Sequence, residues 1–342
     1  MRAWFAILAL VACDPPRQAP RPSRQSPREA APAEHAQPAL AYRTEAGRLS
    51  SAALGVDKRY WVALPPDYDR SDRRFPVVYF LHGFGGRPEN WVRAAPDAAL
   101  AAGLSAILVM VDGDDSFYVN WARPADYERC RAEERPWGRV DADDYCVRHG
   151  RYEDYVTQDV VAQIDARYRT RADRSGRALA GFSMGGFGAL MLAMRHPDVY
   201  SAAVSHAGVA SLLYGGPRPW ARGAARRLED LSAWGRQYEG EIEGIGDHVR
   251  GLLGRDRANW QAHDPVALAG ALRDGQLALY LDCGTEDEFG FDDLAQDLHD
   301  ALQRRGIRHA FALVRGGHDG AFLKDRLDDG MRFVAAHFSA PR

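Results

Sequence analysis

Residues 181–186 read Gly181-Phe182-Ser183-Met184-Gly185-Gly186, between a short apolar run at residues 177–180 and a helix-like stretch at residues 185–195. Glycines on both sides of the serine allow a tight turn from strand to helix without Cβ clashes. Such a turn exposes the serine hydroxyl at the helix amino terminus, where the helix dipole favours negative charge. The motif therefore predicts a strand–turn–helix unit that presents Ser183 as a nucleophile.

Short β-rich runs alternate with helical stretches on both sides of this unit. The strand candidates are residues 59–64, 76–81, 106–111, 177–180, 202–205, 277–281 and 310–314, and the helix candidates include residues 153–168, 185–195 and 292–305. Apolar strands that alternate with amphipathic helices predict an α/β fold, with a mostly parallel central sheet and helices on both faces. Residues 212–266 break the alternation, and we interpret them as an insertion over the active-site edge of the sheet.

A serine hydroxyl needs a base to accept its proton. His318 occupies a glycine-flanked loop (VRGGHDG, residues 314–320) directly after a strand candidate. The competing histidines are in weaker positions: His263 is in the insertion, His309 starts that strand, and His337 is in a C-terminal helix. We therefore expect His318 to be the base.

The base needs an acid to fix its tautomer, and the loop DCGTEDE at residues 282–288 offers four carboxylates. Asp282 ends its strand too early to reach outward. Spacing alone does not separate Glu286, Asp287 and Glu288.

An oxyanion hole needs two backbone N–H groups directed at the developing charge. One is expected from Met184, directly after the nucleophile. The other is expected from the glycine-rich turn LHGFGG at residues 81–86, for which a plain strand–helix loop is the alternative.

The amino terminus (MRAWFAILALVAC, residues 1–13) has the layout of a lipoprotein signal. Residues 1–12 are predicted to be the signal peptide, and Cys13 the lipidated first residue of the mature protein. Residues 13–40 are expected to form a proline-rich tether, because residues 14–40 hold 7 of the 19 prolines and almost no large apolar residue. The predicted product is an extracytoplasmic, membrane-anchored bacterial lipoprotein. The alternatives are a leader cut by ordinary signal peptidase, giving a secreted or periplasmic protein, and an N-terminal helix with a buried cysteine.

Export would make disulfides available. Cys130 and Cys146 flank a polar stretch, and 13 of residues 122–150 are charged. We predict a Cys130–Cys146 bridge that stabilises this segment, with two free thiols as the alternative. Cys283 follows an apolar run and is expected to be a buried, inert thiol.

Composition excludes several classes of protein. Of the 342 residues, 46% are hydrophobic and 27% are charged, which is ordinary for a globular protein. The net charge of −3 gives no basic surplus for nucleic acid. Only Lys58 and Lys324 of the 44 basic residues are lysine, which we interpret as coding bias. No metal-ligand spacing is present, so neither a metal nor another cofactor is expected.

These motifs together resemble the putative-esterase family of α/β-hydrolases, which includes feruloyl and acetylxylan esterases, S-formylglutathione hydrolase, enterochelin-type esterases and mycolyltransferases. The matching segments are residues 59–66 (RYWVALPP), 76–86 (PVVYFLHGFGG), 115–121 (DSFYVNW), 152–165, 180–186, 282–289 and 316–319, with Tyr68, Trp91, Asp264 and Pro265. The resemblance covers nearly all of residues 45–337, within an esterase domain expected at residues 41–342. Two segments depart from the family pattern: the charged stretch around Cys130 and Cys146, and residues 205–208 (SHAG).

The resemblance implies an α/β-hydrolase fold and a triad of Ser183, Asp287 and His318. It also implies that Phe84 supplies the second oxyanion N–H beside Met184. The implied activity is hydrolysis of a carboxylic ester, on a small-molecule or carbohydrate substrate outside the cytoplasm. The alternatives are acyl transfer by the same triad, as in the mycolyltransferases, and a non-catalytic surface carbohydrate-binding protein on this fold.

Overall fold

The computed structural model describes residues 41–132, 142–238, 242 and 244–339. The predicted signal peptide at residues 1–12, the lipidated Cys13 and the tether at residues 13–40 lie outside the described residues. Among the helices that are described, none combines the length and the apolarity that a membrane span requires.

A sheet of eight strands forms the centre of the domain. The strands are β1 Arg43–Ser51, β2 Val56–Leu64, β3 Val77–Leu81, β4 Ile107–Val111, β5 Arg177–Phe182, β6 Ala202–His206, β7 Ala278–Gly284 and β8 Ala310–Val314. Their spatial order is β1-β2-β4-β3-β5-β6-β7-β8. β1 pairs antiparallel with β2, and β2 pairs antiparallel with β4, whereas all other neighbours are parallel. The predicted mostly parallel sheet is confirmed.

Helices cover both faces of this sheet, as predicted. They are α1 Ala94–Ala101, α2 Tyr127–Ala132, α3 Ala142–Tyr145, α4 Tyr152–Asp154, α5 Val161–Arg167, α6 Met184–Arg195, α7 Ile245–Leu253, α8 Arg257–His263, α9 Pro265–Leu268, α10 Phe291–Arg304 and α11 Gly320–Ser339, with a π-helical segment Tyr155–Val160 between α4 and α5. Val78 and Phe80 of β3 pack on one face with residues of α1 and α11. Tyr79 and Leu81 pack on the other face with residues of α5, α6 and α10. The alternation follows the two-residue period of a strand and places a core on each side.

β1 was not predicted from the sequence. Its residues are mostly exposed or half-buried, and only Leu49 and Ser51 are buried, so it lacks an apolar run. The strand is held by its full-length antiparallel register with β2, from Arg43 opposite Leu64 to Ser51 opposite Val56. Tertiary pairing therefore forms this edge strand where the local sequence gives no signal.

Two segments outside the alternating pattern lie close to the carboxyl edge of the sheet. Residues 212–266 contain α7 and α8, and their Trp234 ring lies 5.8 Å from that of the fully buried Trp260. Trp234 also contacts Phe117, at 6.5 Å between ring centroids, in the loop after β4. The other segment carries a disulfide between Cys130 and Cys146, with 5.8 Å between the two Cα atoms.

Candidate active site

The turn between β5 and α6 places Ser183 in a strained conformation. Its φ of 57° and ψ of −119° lie outside the regions that non-glycine residues usually adopt. A Cβ on Gly181 would collide with the carbonyl of Gly185, and one on Gly185 would collide with the carbonyl of Leu81. The Ser183 N–H donates to the His206 carbonyl at 3.0 Å. The flanking glycines therefore permit the close approach that exposes the serine side chain at the start of α6.

Three of the predicted site residues form one hydrogen-bonded row. The Ser183 hydroxyl lies 2.8 Å from His318 Nε2, and His318 Nδ1 lies 2.8 Å from Asp287 Oδ2. This geometry fits a neutral imidazole that accepts from the serine and donates to the carboxylate. The loops after β5, β7 and β8 thus bring together residues separated by up to 135 positions.

The other acids of the β7 loop lie elsewhere. Glu286 is exposed and pairs with Arg315 at 3.0 Å. Glu288 is exposed, and its side chain accepts the backbone N–H of His318 at 2.9 Å. Of the three acids that spacing could not separate, Asp287 is therefore the one whose side chain reaches the imidazole.

The Asp287 carboxylate is fully buried and fixed from both sides. Its Oδ1 accepts the backbone N–H of Phe289 at 3.0 Å, while its Oδ2 faces His318. The thiol of Cys283 lies 3.4 Å from the same Oδ2. Burial raises the pKa of this thiol well above its ordinary value, with a further rise from Asp287, which keeps the thiol neutral. Cys283 is buried, as the sequence predicted.

Three phenylalanines surround the His318 ring. Phe182 lies 4.8 Å from it in a tilted arrangement, and Phe289 and Phe291 meet it edge-on at 4.9 Å and 5.0 Å. Sequence reasoning missed these rings, although the spacing of the two phenylalanines after Asp287 (EDEFGF, residues 286–291) was visible. They restrict the imidazole to the plane that joins Ser183 and Asp287.

The turn at residues 82–86 lies beside the nucleophile. A Cβ on Gly83 would stand 3.4 Å from Ser183 Cβ, so the chain passes close to the serine just before Phe84. The N–H of Gly85 donates to Asp115 Oδ1 at 2.6 Å, and the N–H of Gly86 donates to the Gly83 carbonyl at 2.9 Å. The two candidate oxyanion residues, Phe84 and Met184, therefore flank Ser183 from this turn and from the first residue of α6.

Asp282, which was set aside as the acid, belongs to a different cluster. Its carboxylate lies 2.9 Å from His206 Nδ1, accepts the Tyr280 hydroxyl at 2.9 Å and pairs with Arg326 Nε at 3.2 Å. Sequence reasoning noted residues 205–208 as unusual but missed this pair. Within the described ranges, no group of three or more histidine, cysteine or acidic side chains is arranged to hold a metal ion.

The strand order and the strained serine turn define an α/β-hydrolase fold, with the Ser–His–Asp row at the carboxyl edge of its sheet. The chain belongs to the family described as "Putative esterase", whose model matches residues 51–333. This confirms the resemblance found in the sequence.

Three proteins to which the chain is similar differ in identity and coverage. An esterase of Mycobacterium tuberculosis is 28% identical over 287 residues, covering 79% of this chain and 54% of its own length. The chain thus spans about half the length of this curated relative. S-formylglutathione hydrolase of Mus musculus is 24% identical over 312 residues, covering 85% of this chain and 93% of its own. The solved structure of a fluorophosphonate-binding serine hydrolase of Staphylococcus aureus superimposes with a TM-score of 0.63 at 19% identity, covering 86% of this chain and 99% of its own.

Proposed function

We propose that the chain hydrolyses carboxylic esters through a triad of Ser183, His318 and Asp287 and a covalent acyl-enzyme. The observation that carries this proposal is the hydrogen-bonded row from Asp287 through His318 to Ser183, with 2.8 Å at each step. The same arrangement of nucleophile, base and orienting acid supports acyl transfer on unrelated folds.

The acylation half-reaction follows from this geometry. Ser183 Oγ attacks the acyl carbonyl carbon while its proton moves to His318 Nε2. Asp287 stabilises the resulting imidazolium through the Nδ1–H bond and remains ionised. The carbonyl oxygen gains negative charge, which the N–H groups of Phe84 and Met184 stabilise. His318 then gives the proton to the departing alcohol oxygen as the ester C–O bond breaks.

Water completes the turnover by the reverse use of the same groups. His318 takes a proton from water as the water oxygen attacks the acyl carbon. Collapse of the second tetrahedral intermediate returns the proton to Ser183 and releases the carboxylic acid. No step consumes a cofactor.

We propose a carbohydrate or similar small ester as the substrate. A cavity of about 330 Å³ lies near the turn at residues 82–86 (the oxyanion turn), lined in part by Trp121, Arg123, Tyr145, Asp247 and His248. The His248 ring, in the wall of the cavity, lies 5.4 Å from the Phe84 ring of that turn. Aromatic faces combined with carboxylate acceptors and a guanidinium donor suit an alcohol that carries several hydroxyl groups.

An ester panel tests this function. Purified protein is assayed on acetyl, feruloyl and longer acyl esters of simple alcohols and of sugars, with free sugar acceptors present and absent. The expected product in every case is free acid. Acylated acceptor in place of free acid would show acyl transfer instead, and a lack of turnover on every ester would contradict the proposal.

The substrate class has its own test. Arg123→Ala should raise KM for an acetylated sugar several-fold and leave KM for a simple aryl acetate unchanged. The control is Arg93→Ala, an exposed arginine at the start of α1 that does not line this cavity. Equal effects of Arg123→Ala on both esters would exclude the cavity as the alcohol site.

We also propose that the domain is tethered outside the cytoplasm through lipidated Cys13. The Cys130–Cys146 disulfide supports this location, because such bonds persist in oxidising compartments. Diacylation would supply the two or more chains that stable anchoring requires. Cys13→Ala should move the protein from the detergent phase to the aqueous phase. A wild-type protein wholly in the aqueous phase, with an unmodified mature amino terminus, would mean an ordinary secreted enzyme.

A further inference from the structure

One of the two lysines of the chain is buried beneath the oxyanion turn. Lys58 lies on β2 with 1% of its surface exposed. Its ammonium contacts both oxygens of Asp114, at 2.9 Å and 2.8 Å, and Asp112 Oδ2 at 3.2 Å. Burial lowers the pKa of the ammonium, but the two carboxylates outweigh burial and raise it above its ordinary value. A buried charge is costly unless its partners are held in place, so this cluster requires an explanation.

The two carboxylates belong to a strained loop after β4. Asp114, Phe117 and Tyr118 have φ values of +45°, +52° and +57°, a region that costs free energy for residues other than glycine. Asp114 is held by Lys58 and by the hydroxyl of Tyr152. Burial raises the pKa of the Asp114 carboxyl, and the Lys58 ammonium opposes that rise. Lys58 thus anchors a backbone conformation that the loop does not favour by itself.

This loop holds the oxyanion turn at three points. The N–H of Gly113 donates to His82 Nε2 at 3.0 Å, and the hydroxyl of Tyr118 donates to the His82 carbonyl at 2.9 Å. Asp115 Oδ1 accepts the N–H of Gly85 at 2.6 Å. The three bonds attach to the residues two before and one after Phe84, which fixes the direction of the Phe84 N–H.

The His82 side chain links the loop after β4 to the oxyanion turn by two hydrogen bonds. Because its Nε2 accepts from Gly113, its Nδ1 carries the proton and donates to the Gly83 carbonyl at 2.9 Å. The ring is fully buried, and burial lowers the pKa of His82 against the opposing effect of Asp112 and Asp115. A neutral ring can make both bonds at once, whereas an imidazolium has no acceptor.

We propose that Lys58 is a positioning residue for ester hydrolysis, which fixes the loop at residues 112–118 and through it the oxyanion N–H of Phe84. This role rests on the proposed function. Lys58 touches no reacting atom, and its effect passes through two layers of hydrogen bonds. An oxyanion donor that is removed outright costs roughly 10²- to 10³-fold in kcat. A donor that is misdirected should cost less.

The test compares Lys58→Met with Lys324→Met, the matched change at the exposed lysine on α11. Active sites are first titrated with a fluorophosphonate, so that rates refer to folded, competent enzyme. Lys58→Met should lower kcat per titrated site about 10- to 100-fold, with KM within about twofold, because the oxyanion forms only in the transition state. The rate of phosphonylation should fall in parallel, since it also places charge on the oxyanion. Lys324→Met should change none of these values.

Two outcomes would overturn the proposal. The first is an unchanged kcat per titrated site in Lys58→Met, with only a lower melting temperature, because that pattern denotes a purely structural lysine. The second outcome applies if Lys58→Met does not fold. Tyr118→Phe then replaces it, since this change removes only the hydroxyl bonded to the His82 carbonyl. An unchanged kcat in Tyr118→Phe would overturn the proposal. A wild-type enzyme that neither reacts with the probe nor hydrolyses any ester would overturn the proposed function itself, which separates the two failures.

Discussion

Two histidine–aspartate pairs lie at the carboxyl edge of the same sheet. His318 Nδ1 lies 2.8 Å from Asp287, and His206 Nδ1 lies 2.9 Å from Asp282. The pairs differ at the other ring nitrogen. Nε2 of His318 lies 2.8 Å from the Ser183 hydroxyl, whereas Nε2 of His206 is buried without a hydrogen-bond partner in the described part of the chain. Of the two pairs, only His318–Asp287 has a hydroxyl group at Nε2 from which the imidazole could accept a proton.

The two carboxylates also differ in whether a guanidinium offsets their negative charge. Asp282 pairs with Arg326, so its negative charge is offset by a guanidinium. Among the described residues, Asp287 forms an ion pair with His318 and with no arginine or lysine. An imidazolium that forms at His318 thus meets an uncompensated carboxylate, while one at His206 would not. In the proposed mechanism the His318–Asp287 pair serves proton transfer, whereas the His206–Asp282 pair, with Arg326, holds β6, β7 and α11 together.

Ser183→Ala should show the largest effect. Removal of a triad serine lowers kcat by roughly 10⁴- to 10⁶-fold, because the covalent route is lost. The far-ultraviolet circular dichroism spectrum and the melting temperature should stay close to those of wild type. Initial rates on an activated short-chain ester give the measurement, and retained turnover would remove Ser183 from the mechanism.

Asp287→Asn should come next. Loss of an orienting aspartate with the geometry preserved lowers kcat by about 10⁴-fold, because the histidine adopts the wrong tautomer. The controls are Glu286→Gln and Glu288→Gln, which remove charge from the same loop and should change kcat by far less. A larger loss in Glu288→Gln than in Asp287→Asn would assign the acid to the neighbouring residue.

Asp282→Asn should lower the stability of the protein and leave kcat nearly unchanged. This change removes the charge of the buried carboxylate that pairs with His206, whereas Arg326 keeps its pair with Asp329 at 2.6 Å. Breaking a buried pair typically costs about 3 kcal/mol of the free energy of unfolding. Chemical denaturation measures that loss, and kcat per titrated site should stay within a few-fold of wild type. If Asp282→Asn instead lowered kcat as much as Asp287→Asn, the distinction between the two pairs would be wrong.

A third histidine–carboxylate contact extends the comparison to pH. Glu153 is buried and lies 2.6 Å from His196 Nε2 and 2.7 Å from Arg195 Nε. Burial alone would raise its pKa, but the hydrogen bonds from His196 and Arg195, together with the nearby His263 ring at 3.5 Å, outweigh burial and hold the pKa of Glu153 well below its usual range.

A carboxyl with a depressed pKa in the folded state stabilises the protein above its unfolded pKa of about 4.3, and that contribution is lost as pH falls below this value. As pH falls from about 6 to well below 4.3, the free energy of unfolding of Glu153→Gln should therefore decrease by about 2 kcal/mol less than that of wild type. Denaturation curves across this range measure the difference, and parallel pH dependences in both proteins would contradict it.

Much of the fold could be predicted because its signals are local. Apolar runs marked seven of the eight strands, and the glycines around Ser183 marked the turn between β5 and α6. β1 escaped prediction because it is mostly exposed and is held by pairing alone. The loop positions of Ser183 and His318 were visible for the same local reason.

The remainder of the site depends on contacts between distant parts of the chain. Spacing could not choose Asp287 over its neighbours, since only the folded loop turns one side chain inward; the family resemblance made that choice. The buried Lys58 cluster and the His206–Asp282 pair join residues 56 and 76 positions apart. Nothing in the local sequence distinguishes Lys58 from a surface lysine, and only the scarcity of lysine in the chain was interpreted, as coding bias.

Covalent labelling tests the central claim most directly. Wild-type protein is incubated with a fluorophosphonate, digested, and analysed by peptide mass spectrometry. We predict one phosphonyl group per chain, on Ser183, formed slowly in Asp287→Asn and absent from Ser183→Ala. Label on a different residue, or ester hydrolysis by a wild-type protein that takes up no label, would contradict the assignment of Ser183 as the nucleophile.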